Sequence, residues 1–269
     1  MSKFSIVVDN LSASDLLVEH GLALVVDSSA GRFLFDTGAG MALLPNLASL
    51  GIAADSLQRV ILSHGHYDHT GGLAALAAVV SDLEIYAAPG VMRQRYSRHP
   101  GKPPHELTMP PDCRQAMAAA AKCHEIATFT EIAPRVFLTG PIPRFSAEDC
   151  GGPFFLSPSG PEEDFLTDEQ ALLLADGTLI QGCCHSGIIN TLEYCRQCVP
   201  QIAITTIVGG LHLQNATAER LRLTTEYLQK LELRQLILAH CTGAAAIAHF
   251  QQHLHCPVHL ARSGETYAC

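Results

Sequence analysis

Three histidines and an aspartate lie close together in LSHGHYDHTGG, residues 62–72. His64 and His66 are two residues apart, so their side chains can turn to the same side of an extended segment. Asp68 and His69 follow directly. Imidazole suits zinc, iron, copper and nickel, and a carboxylate also accepts harder ions. Because one ion cannot easily take all four side chains, the cluster predicts half of a site for two neighbouring transition-metal ions. The alternative is a polar, solvated turn.

Apolar stretches of strand length recur along the chain and alternate with helical patterns. Strands are predicted at FSIVV, LALVV, RFLF, RVIL, RVFL, ALLLA, TLIQG, AITTIV, QLIL and PVHLA. Helices are predicted over residues 71–80, 188–198, 216–231 and 244–253. This alternation indicates an α/β architecture. The chain is expected to form one domain over 1–269, with a proline-rich, irregular insertion at about 94–161.

The metal-binding motif follows the strand RVIL directly, so its side chains emerge at the carboxyl end of a buried strand. Open α/β sheets usually place their ligand sites at that edge. The position of the motif therefore agrees with its chemistry.

Composition restricts the class of partner. The 269-residue chain has a formal net charge of −9, whereas nucleic acids and anionic membranes attract basic surfaces. A small-molecule substrate is expected, with neither nucleic acid nor membrane as partner; the oligomeric state is left open. No apolar run approaches the roughly 20 residues that span a bilayer, so we expect a soluble, unexported, cytoplasmic protein. Its ten cysteines are then expected to be free thiols.

Further motifs strengthen this interpretation. FLFDTG at 33–38 and the motif H-x-H-x-D-H resemble the metallo-β-lactamase fold hydrolases, and CCHSGIINTL, VGGLHL and AHCTG resemble a dihydropterin-related subgroup of them. Together these motifs span residues 33–243. The resemblance implies a four-layer αββα sandwich with metals in the cleft between two sheets.

The resemblance also implies the ligands of two divalent transition-metal ions. These are His64, His66 and His185 for the first ion, and Asp68, His69 and His240 for the second. Zinc is the expected metal, with iron or manganese as alternatives. His185 and His240 each follow a predicted strand, although either could instead be a helix-capping histidine.

The chain departs from the wider family after the strand TLIQG. Most members have Gly-Asp there, with the aspartate bridging both metals, but here Cys183 and Cys184 follow Gly182. A hydroxide could bridge the ions alone, His185 could take part of the role, or one thiol could act as a soft ligand. The first two alternatives are favoured. The loss of a negative ligand is expected to weaken binding of the second metal.

The resemblance and the metal chemistry predict a hydrolase that uses a metal-bound hydroxide on a small, phosphorylated or pterin-like substrate. Asp68 and His212 are the predicted catalytic residues; His212 would bind substrate or protonate the leaving group, unless it is a core histidine. Asp36 would orient a metal-binding histidine, or merely close the turn DTGAG. A di-iron oxidoreductase and a non-catalytic metal-binding or sensing protein are the alternative functions.

Overall fold

The computed structural model describes residues 2–146, 148 and 152–268. Its strands are β1 (Lys3–Val8), β2 (Ala23–Ser28), β3 (Gly31–Phe35), β4 (Arg59–Ile61), β5 (Glu84–Ala87), β6 (Tyr96–Ser97), β7 (His105–Glu106), β8 (Lys122–Glu125), β9 (Thr130–Ala133), β10 (Val136–Leu138), β11 (Phe154–Phe155), β12 (Leu172–Leu174), β13 (Thr178–Gln181), β14 (Thr206–Gly209), β15 (Gln235–Leu238), β16 (Val258–Leu260) and β17 (Thr266–Ala268). Its α-helices are α1 (Leu43–Ser49), α2 (Tyr67–Thr70), α3 (Leu73–Ala77), α4 (Pro111–Ala119), α5 (Ile188–Cys198), α6 (Ala218–Leu228) and α7 (Ala244–His253).

Two seven-stranded sheets form the centre of the fold. The first has the order β17-β1-β2-β3-β4-β5-β8, and the second has the order β16-β15-β14-β13-β12-β10-β9. A small third sheet, β11-β6-β7, stands apart from both. All ten predicted strands are present in the two large sheets.

Three apolar cores separate four layers. One core packs the first sheet against α1, α3 and α4, the second lies between the two sheets, and the third packs the second sheet against α5, α6 and α7. Strand β3 shows how its sequence serves two cores at once. Phe33 and Phe35 face the second sheet, whereas Leu34 faces the helices, because successive side chains of a strand point to opposite faces. The expected αββα sandwich is confirmed.

The helices are short. The two longest, α5 and α6, have 11 residues each, whereas a membrane-spanning helix needs about 20. No helix within the described ranges is long and apolar enough to cross a bilayer.

Parallel pairing brings the ends of several strands to one edge of the sandwich. Strands β3, β4, β5 and β8 run parallel in the first sheet, and β13, β14, β15 and β16 run parallel in the second. The carboxyl ends of parallel strands meet at the same edge. The segments after β3, β4, β13, β14 and β15 carry nearly all of the residues that the sequence singled out.

The segment 94–161 is more regular than its composition suggested. It contains α4 and contributes β8 to the first sheet, β9 and β10 to the second, and all of the third sheet. Strands β8 and β9 are edge strands whose side chains are exposed or half-buried, so they lack the apolar pattern on which strand prediction depends. Residues 147 and 149–151 of this segment lie outside the described residues.

Candidate metal centre

The structure brings the three histidines predicted for the first ion into one cluster. The ring centroids of His64 and His66 are 4.5 Å apart, and those of His185 lie 4.9 and 5.0 Å from them. All three side chains are buried. Burial holds the pKa of His64 and of His66 well below the ordinary value. Both rings are therefore neutral at pH 7, the form in which imidazole binds metals.

A hydrogen-bond chain orients His64. The Ser63 hydroxyl donates to Asp36 Oδ2 at 2.7 Å, so its oxygen accepts from His64 Nδ1 at 2.9 Å. His64 Nε2 is left without a hydrogen, and it is buried with no hydrogen-bond partner among the described residues. Buried polar atoms are rarely unpaired. A metal ion would supply the missing partner, so these residues fit a cation.

Asp36 is the shared acceptor beneath the cluster. Besides the Ser63 hydroxyl it accepts from the Ser63 backbone N–H at 2.7 Å, and its Oδ2 lies 2.7 Å from His69 Nδ1. Gly182 packs so closely that a Cβ there would lie 2.1 Å from Ser63 Oγ. Asp36 thus takes the orienting position predicted for it, with one carboxylate fixing the rings of His64 and His69.

The three residues predicted for the second ion also meet. Asp68 Oδ2 lies 3.3 Å from His240 Nε2 and 3.7 Å from His69 Nε2. His240 Nε2 forms no hydrogen bond within the described residues. Burial would raise the pKa of Asp68, but His69 and His240 hold it well below its usual range. A carboxylate oxygen and two imidazole nitrogens that converge in this way are arranged as they would be around a cation.

Cys183 lies between the two clusters. Its Sγ is 3.2 Å from His69 Nε2. It forms one candidate metal-binding group with His64 and His185, and another with His69 and His240, with all ligand atoms of a group within 4.8 Å of one another. The sequence favoured thiols that merely neighbour the site, but the structure places this sulfur inside it. Cys184 instead packs in the core beneath α5, α6 and α7.

His212 stands at the other side of His185. The two ring centroids are 4.5 Å apart, and the Phe154 ring lies 6.2 Å from His212. Burial would lower the pKa of His212, but the neighbouring Cys241 sulfur raises it above the ordinary value. His212 also forms a candidate metal-binding group with Cys183 and Cys241. Its position suits the predicted contact with substrate and also a ligand role.

Three consecutive residues before β12 support both loops that carry the candidate ligands, and no sequence motif indicated them. Asp168 accepts from the Gly65 backbone N–H at 2.8 Å, and the Glu169 carboxylate accepts from the backbone N–H groups of His185 and Ser186. Gln170 donates to the Leu62 carbonyl at 2.8 Å. The signal was the polar run TDEQ directly before the apolar ALLLA. A polar run that enters a buried strand needs buried hydrogen-bond partners.

A buried arginine completes this support. Arg95 is 1% exposed; its Nη1 lies 2.9 Å from Asp168 Oδ2 and its Nε lies 3.1 Å from Asp164 Oδ2. Gly65 packs against the Val91 backbone beside this ion pair, where an added Cβ would lie 1.8 Å from the Val91 carbonyl oxygen and 3.3 Å from Arg95 Nη1. Asp168, held in place by Arg95, therefore fixes the backbone between His64 and His66.

The segment between β1 and β2 also reaches the site, which no motif indicated. His20 Nε2 lies 3.3 Å from Asp68 Oδ2, and the His20 ring centroid is 4.8 Å from that of His240. The His240 backbone N–H donates to Asp9 Oδ1 at 2.8 Å, and its Nδ1 lies 2.9 Å from Asn10 Oδ1. Isolated histidines and asparagines in a loop carry no spacing signal.

Backbone strain marks the same region. Of the seven non-glycine residues with positive φ angles in the described part of the chain, four lie here: Asp36 (60°), Cys184 (60°), His212 (47°) and His240 (52°). Residues other than glycine rarely adopt this conformation, and where they do they often serve a functional site. Each of the four follows the carboxyl end of a strand, where the chain turns sharply beside the cleft.

A cavity of about 380 Å³ opens over the candidate metal ligands. His66, Asp68, Cys183 and His185 line its floor. The small third sheet supplies part of its wall through Ser97, His105 and Phe154. This volume lies within the range of small-molecule sites in other proteins.

Comparison with known proteins identifies the family. The family model of the metallo-beta-lactamase superfamily matches residues 17–154, just over half of the chain. The chain belongs to this superfamily. Metal-dependent hydrolases are members of it, and their fold is the one described above.

Two curated relatives from Methanocaldococcus jannaschii extend the similarity beyond the matched region. The uncharacterized protein MJ0448 is 25% identical over 253 residues, covering 92% of this chain and 93% of the relative. The enzyme 7,8-dihydropterin-6-methyl-4-(beta-D-ribofuranosyl)-aminobenzene-5'-phosphate synthase is 25% identical over 245 residues, covering 85% and 82%. The second relative agrees with the dihydropterin-related resemblance of the sequence motifs.

A solved structure resembles the whole chain. Tm1679, described as a metal-dependent hydrolase of the beta-lactamase superfamily, superposes with a TM-score of 0.87 at 27% identity. The match covers 100% of this chain and 99% of Tm1679. The metallo-β-lactamase fold therefore extends over the whole of this chain.

Proposed function

We propose that this protein is a hydrolase that uses two divalent transition-metal ions on a small substrate. The observation that carries the proposal is the pair of histidine clusters at one end of the sandwich. The first ion would be held by His64, His66 and His185, and the second ion by Asp68, His69 and His240. Zinc suits imidazole and carboxylate donors, and iron or manganese are alternatives.

Bound ions of this kind lower the pKa of water toward neutrality and polarise the bond that is attacked. The protein's own residues prepare the site for this chemistry. Asp36 orients His64 and His69, while Glu169 fixes the backbone at His185. Asp68 would orient the attacking water as well as bind metal, and His212 would hold the proton for the leaving group.

The substrate is proposed to be a small ester, phosphorylated or pterin-like. The cavity of about 380 Å³ is lined by polar side chains and by Phe154, against which a planar ring could pack. The similarity to the dihydropterin-related synthase supports this class. The net charge of −9 disfavours nucleic acid. Similarity to a hydroxyacylglutathione hydrolase from Serratia proteamaculans, 27% identical over 183 residues, also favours hydrolysis.

The test combines elemental analysis of the purified protein with hydrolysis of bis(p-nitrophenyl) phosphate. We expect two transition-metal ions per chain and metal-dependent turnover in the wild type. His66→Ala should lose both metal and activity but keep its circular dichroism spectrum, because the sheet cores do not depend on the cleft. His253→Ala is the matched control, because this exposed histidine lies at the end of α7.

Other outcomes would identify the alternative functions. Bound metal without turnover of any ester would favour a metal-binding or sensing protein. Bound iron with oxygen consumption would favour an oxidoreductase. Undiminished metal content in His66→Ala would contradict the assignment of H-x-H-x-D-H as a metal-binding motif.

A further inference from the structure

Two histidines face one carboxylate oxygen at the rim of the second cluster. The Nε2 atoms of His20 and His240 each lie 3.3 Å from Asp68 Oδ2. His240 is buried, whereas His20 is exposed at the cavity mouth. Their opposite nitrogens, the two Nδ1 atoms, both face the side chain of Asn10.

The orientation of the Asn10 amide is set by a backbone group. The Gly21 N–H, which can only donate, lies 3.4 Å from Asn10 Oδ1, and this contact assigns the oxygen. The same oxygen lies 2.9 Å from His240 Nδ1. Because a carbonyl oxygen can only accept, His240 carries its hydrogen on Nδ1 and has a bare Nε2.

The other end of the amide has the opposite effect on His20. Asn10 Nδ2 lies 3.4 Å from His20 Nδ1. An amide nitrogen can only donate, so His20 Nδ1 is the acceptor and the hydrogen of the neutral ring is on Nε2. That Nε2–H then faces Asp68 Oδ2, a carboxylate oxygen that accepts it.

We propose that Asn10 sets the tautomers of two neighbouring histidines in opposite senses. His240 presents a bare Nε2 as a metal ligand, and His20 presents an Nε2–H that holds the Asp68 carboxylate. The inference rests on the proposed function, since it assigns roles within that metal centre. His20 is then a positioning residue, although its place beside Asp68 and His240 would also suit a ligand. Outer hydrogen bonds of this kind typically change metal affinity by about 10- to 100-fold.

Nitrogen-15 NMR of the imidazole rings tests the tautomers directly, in both metal-free and zinc-loaded protein. In the wild type we expect His20 to be protonated on Nε2 and His240 on Nδ1. In Asn10→Asp both Nδ1 atoms face an acceptor, so the His20 hydrogen should move to Nδ1 while His240 stays unchanged. Asn215→Asp is the charge control. Asn215 lines the same cavity, but within the described residues it forms no hydrogen bond to either histidine ring. It should leave both tautomers unchanged.

Zinc affinity tests the positioning role. His20→Leu should weaken binding of the second zinc by about 10-fold or more, whereas His20→Gln, whose amide can still donate, should restore most of it. A His20 ring already bare at Nε2 in the wild type, or a His20→Gln variant as weak as His20→Leu, would overturn the proposal. A wild type that binds two zinc ions without hydrolysis would instead contradict the proposed function, and the metal-free spectra would still decide the tautomers.

Discussion

Cys183 Sγ lies 3.2 Å from His69 Nε2, at the junction of the two predicted ligand sets. This is the position at which the family resemblance led us to expect a metal-bridging aspartate, and the sequence has Cys183 instead. Burial raises the pKa of the Cys183 thiol well above its ordinary value, so in the absence of a cation the sulfur keeps its proton. A metal ion would favour the thiolate, because a coordinating thiol is deprotonated outright. The geometry thus favours the thiol ligand, the alternative that the sequence ranked last.

The first prediction concerns this sulfur. Cobalt-substituted protein should show a sulfur-to-cobalt charge-transfer band in the near ultraviolet. Cys183→Ala should lose the band and the more weakly held ion, because both clusters lose a shared ligand. Cys183→Asp should lose the band but keep the ions, since a carboxylate restores the negative charge.

Cys184→Ala is the matched control, because its side chain packs in the helix core rather than in the cleft. It should keep the band and both ions. A band that survives in Cys183→Ala would point to Cys241, the other thiol at the site. Full metal content without any band in the wild type would show that sulfur is not a ligand.

The second prediction concerns proton release. Burial would lower the pKa of His69, but Asp36 and Asp68 raise it to about 9. Below that pH the ring is protonated in the metal-free protein, and an ion at Nε2 must displace the proton. Metal affinity should therefore rise with pH, and rise less steeply above about 9, where only the Cys183 thiol still has a proton to lose. Calorimetry at pH 7 in buffers of different ionisation enthalpy should show release of about two protons, one from His69 and one from Cys183.

The Cys183→Ala variant separates the two sources. It should release about one proton fewer than the wild type. Asp36→Asn should also release fewer, because the loss of the neighbouring carboxylate lowers the pKa of His69. Proton release that is the same in all three proteins would contradict both assignments.

The sequence predicted the strands that carry the site better than the elements at its edges. Strands such as β3 and β13 are buried on both faces, and their apolar composition is readable in the chain. Strand β8, KCHE, and strand β17, TYA, are short edge strands with polar or exposed side chains. They form because a neighbouring strand offers hydrogen bonds, and this information lies far away in sequence.

The residues of the candidate site also differ in how far the sequence alone predicts them. His64, His66, Asp68 and His69 occur as one local pattern, so sequence alone groups them. His20 reaches Asp68 across 48 positions, and Cys183 reaches His69 across 114. Only the folded sheets bring such residues together. The buried contacts of Glu169 follow from the same tertiary arrangement.

The third prediction concerns the buried Arg95. Its guanidinium lies between Asp164 and Asp168, so Arg95→Met would leave two buried carboxylates unpaired. Removing one partner of a buried ion pair typically destabilises a protein by about 3–5 kcal/mol. Because burial raises the pKa of Asp168, protonation should relieve part of this loss. The defect in urea unfolding should therefore be larger at pH 8 than at pH 5.

The exposed Arg222 supplies the control for this measurement. Its ion pairs with Glu219 and Glu226 lie on the surface of α6, where such pairs contribute little. Arg222→Met should leave stability nearly unchanged at both pH values. If Arg95→Met were equally mild, the support of the motif loop would have to be assigned to other contacts.

The last prediction separates His212 from the six predicted ligands. His212→Ala should keep both metals and lose rate, whereas His185→Ala and His240→Ala should lose metal and rate together. The loss of one general acid typically costs about a hundredfold, equivalent to about 3 kcal/mol of barrier. A nitrophenol leaving group is already acidic and needs little protonation, so the defect should shrink with a nitrophenyl ester and be full with an alkyl ester. Metal analysis of the three variants, beside rates on both esters, makes the comparison. Metal loss in His212→Ala would show that His212 is a metal ligand, together with Cys183 and Cys241. An unchanged rate on both esters would show that His212 is a core residue without a role in catalysis.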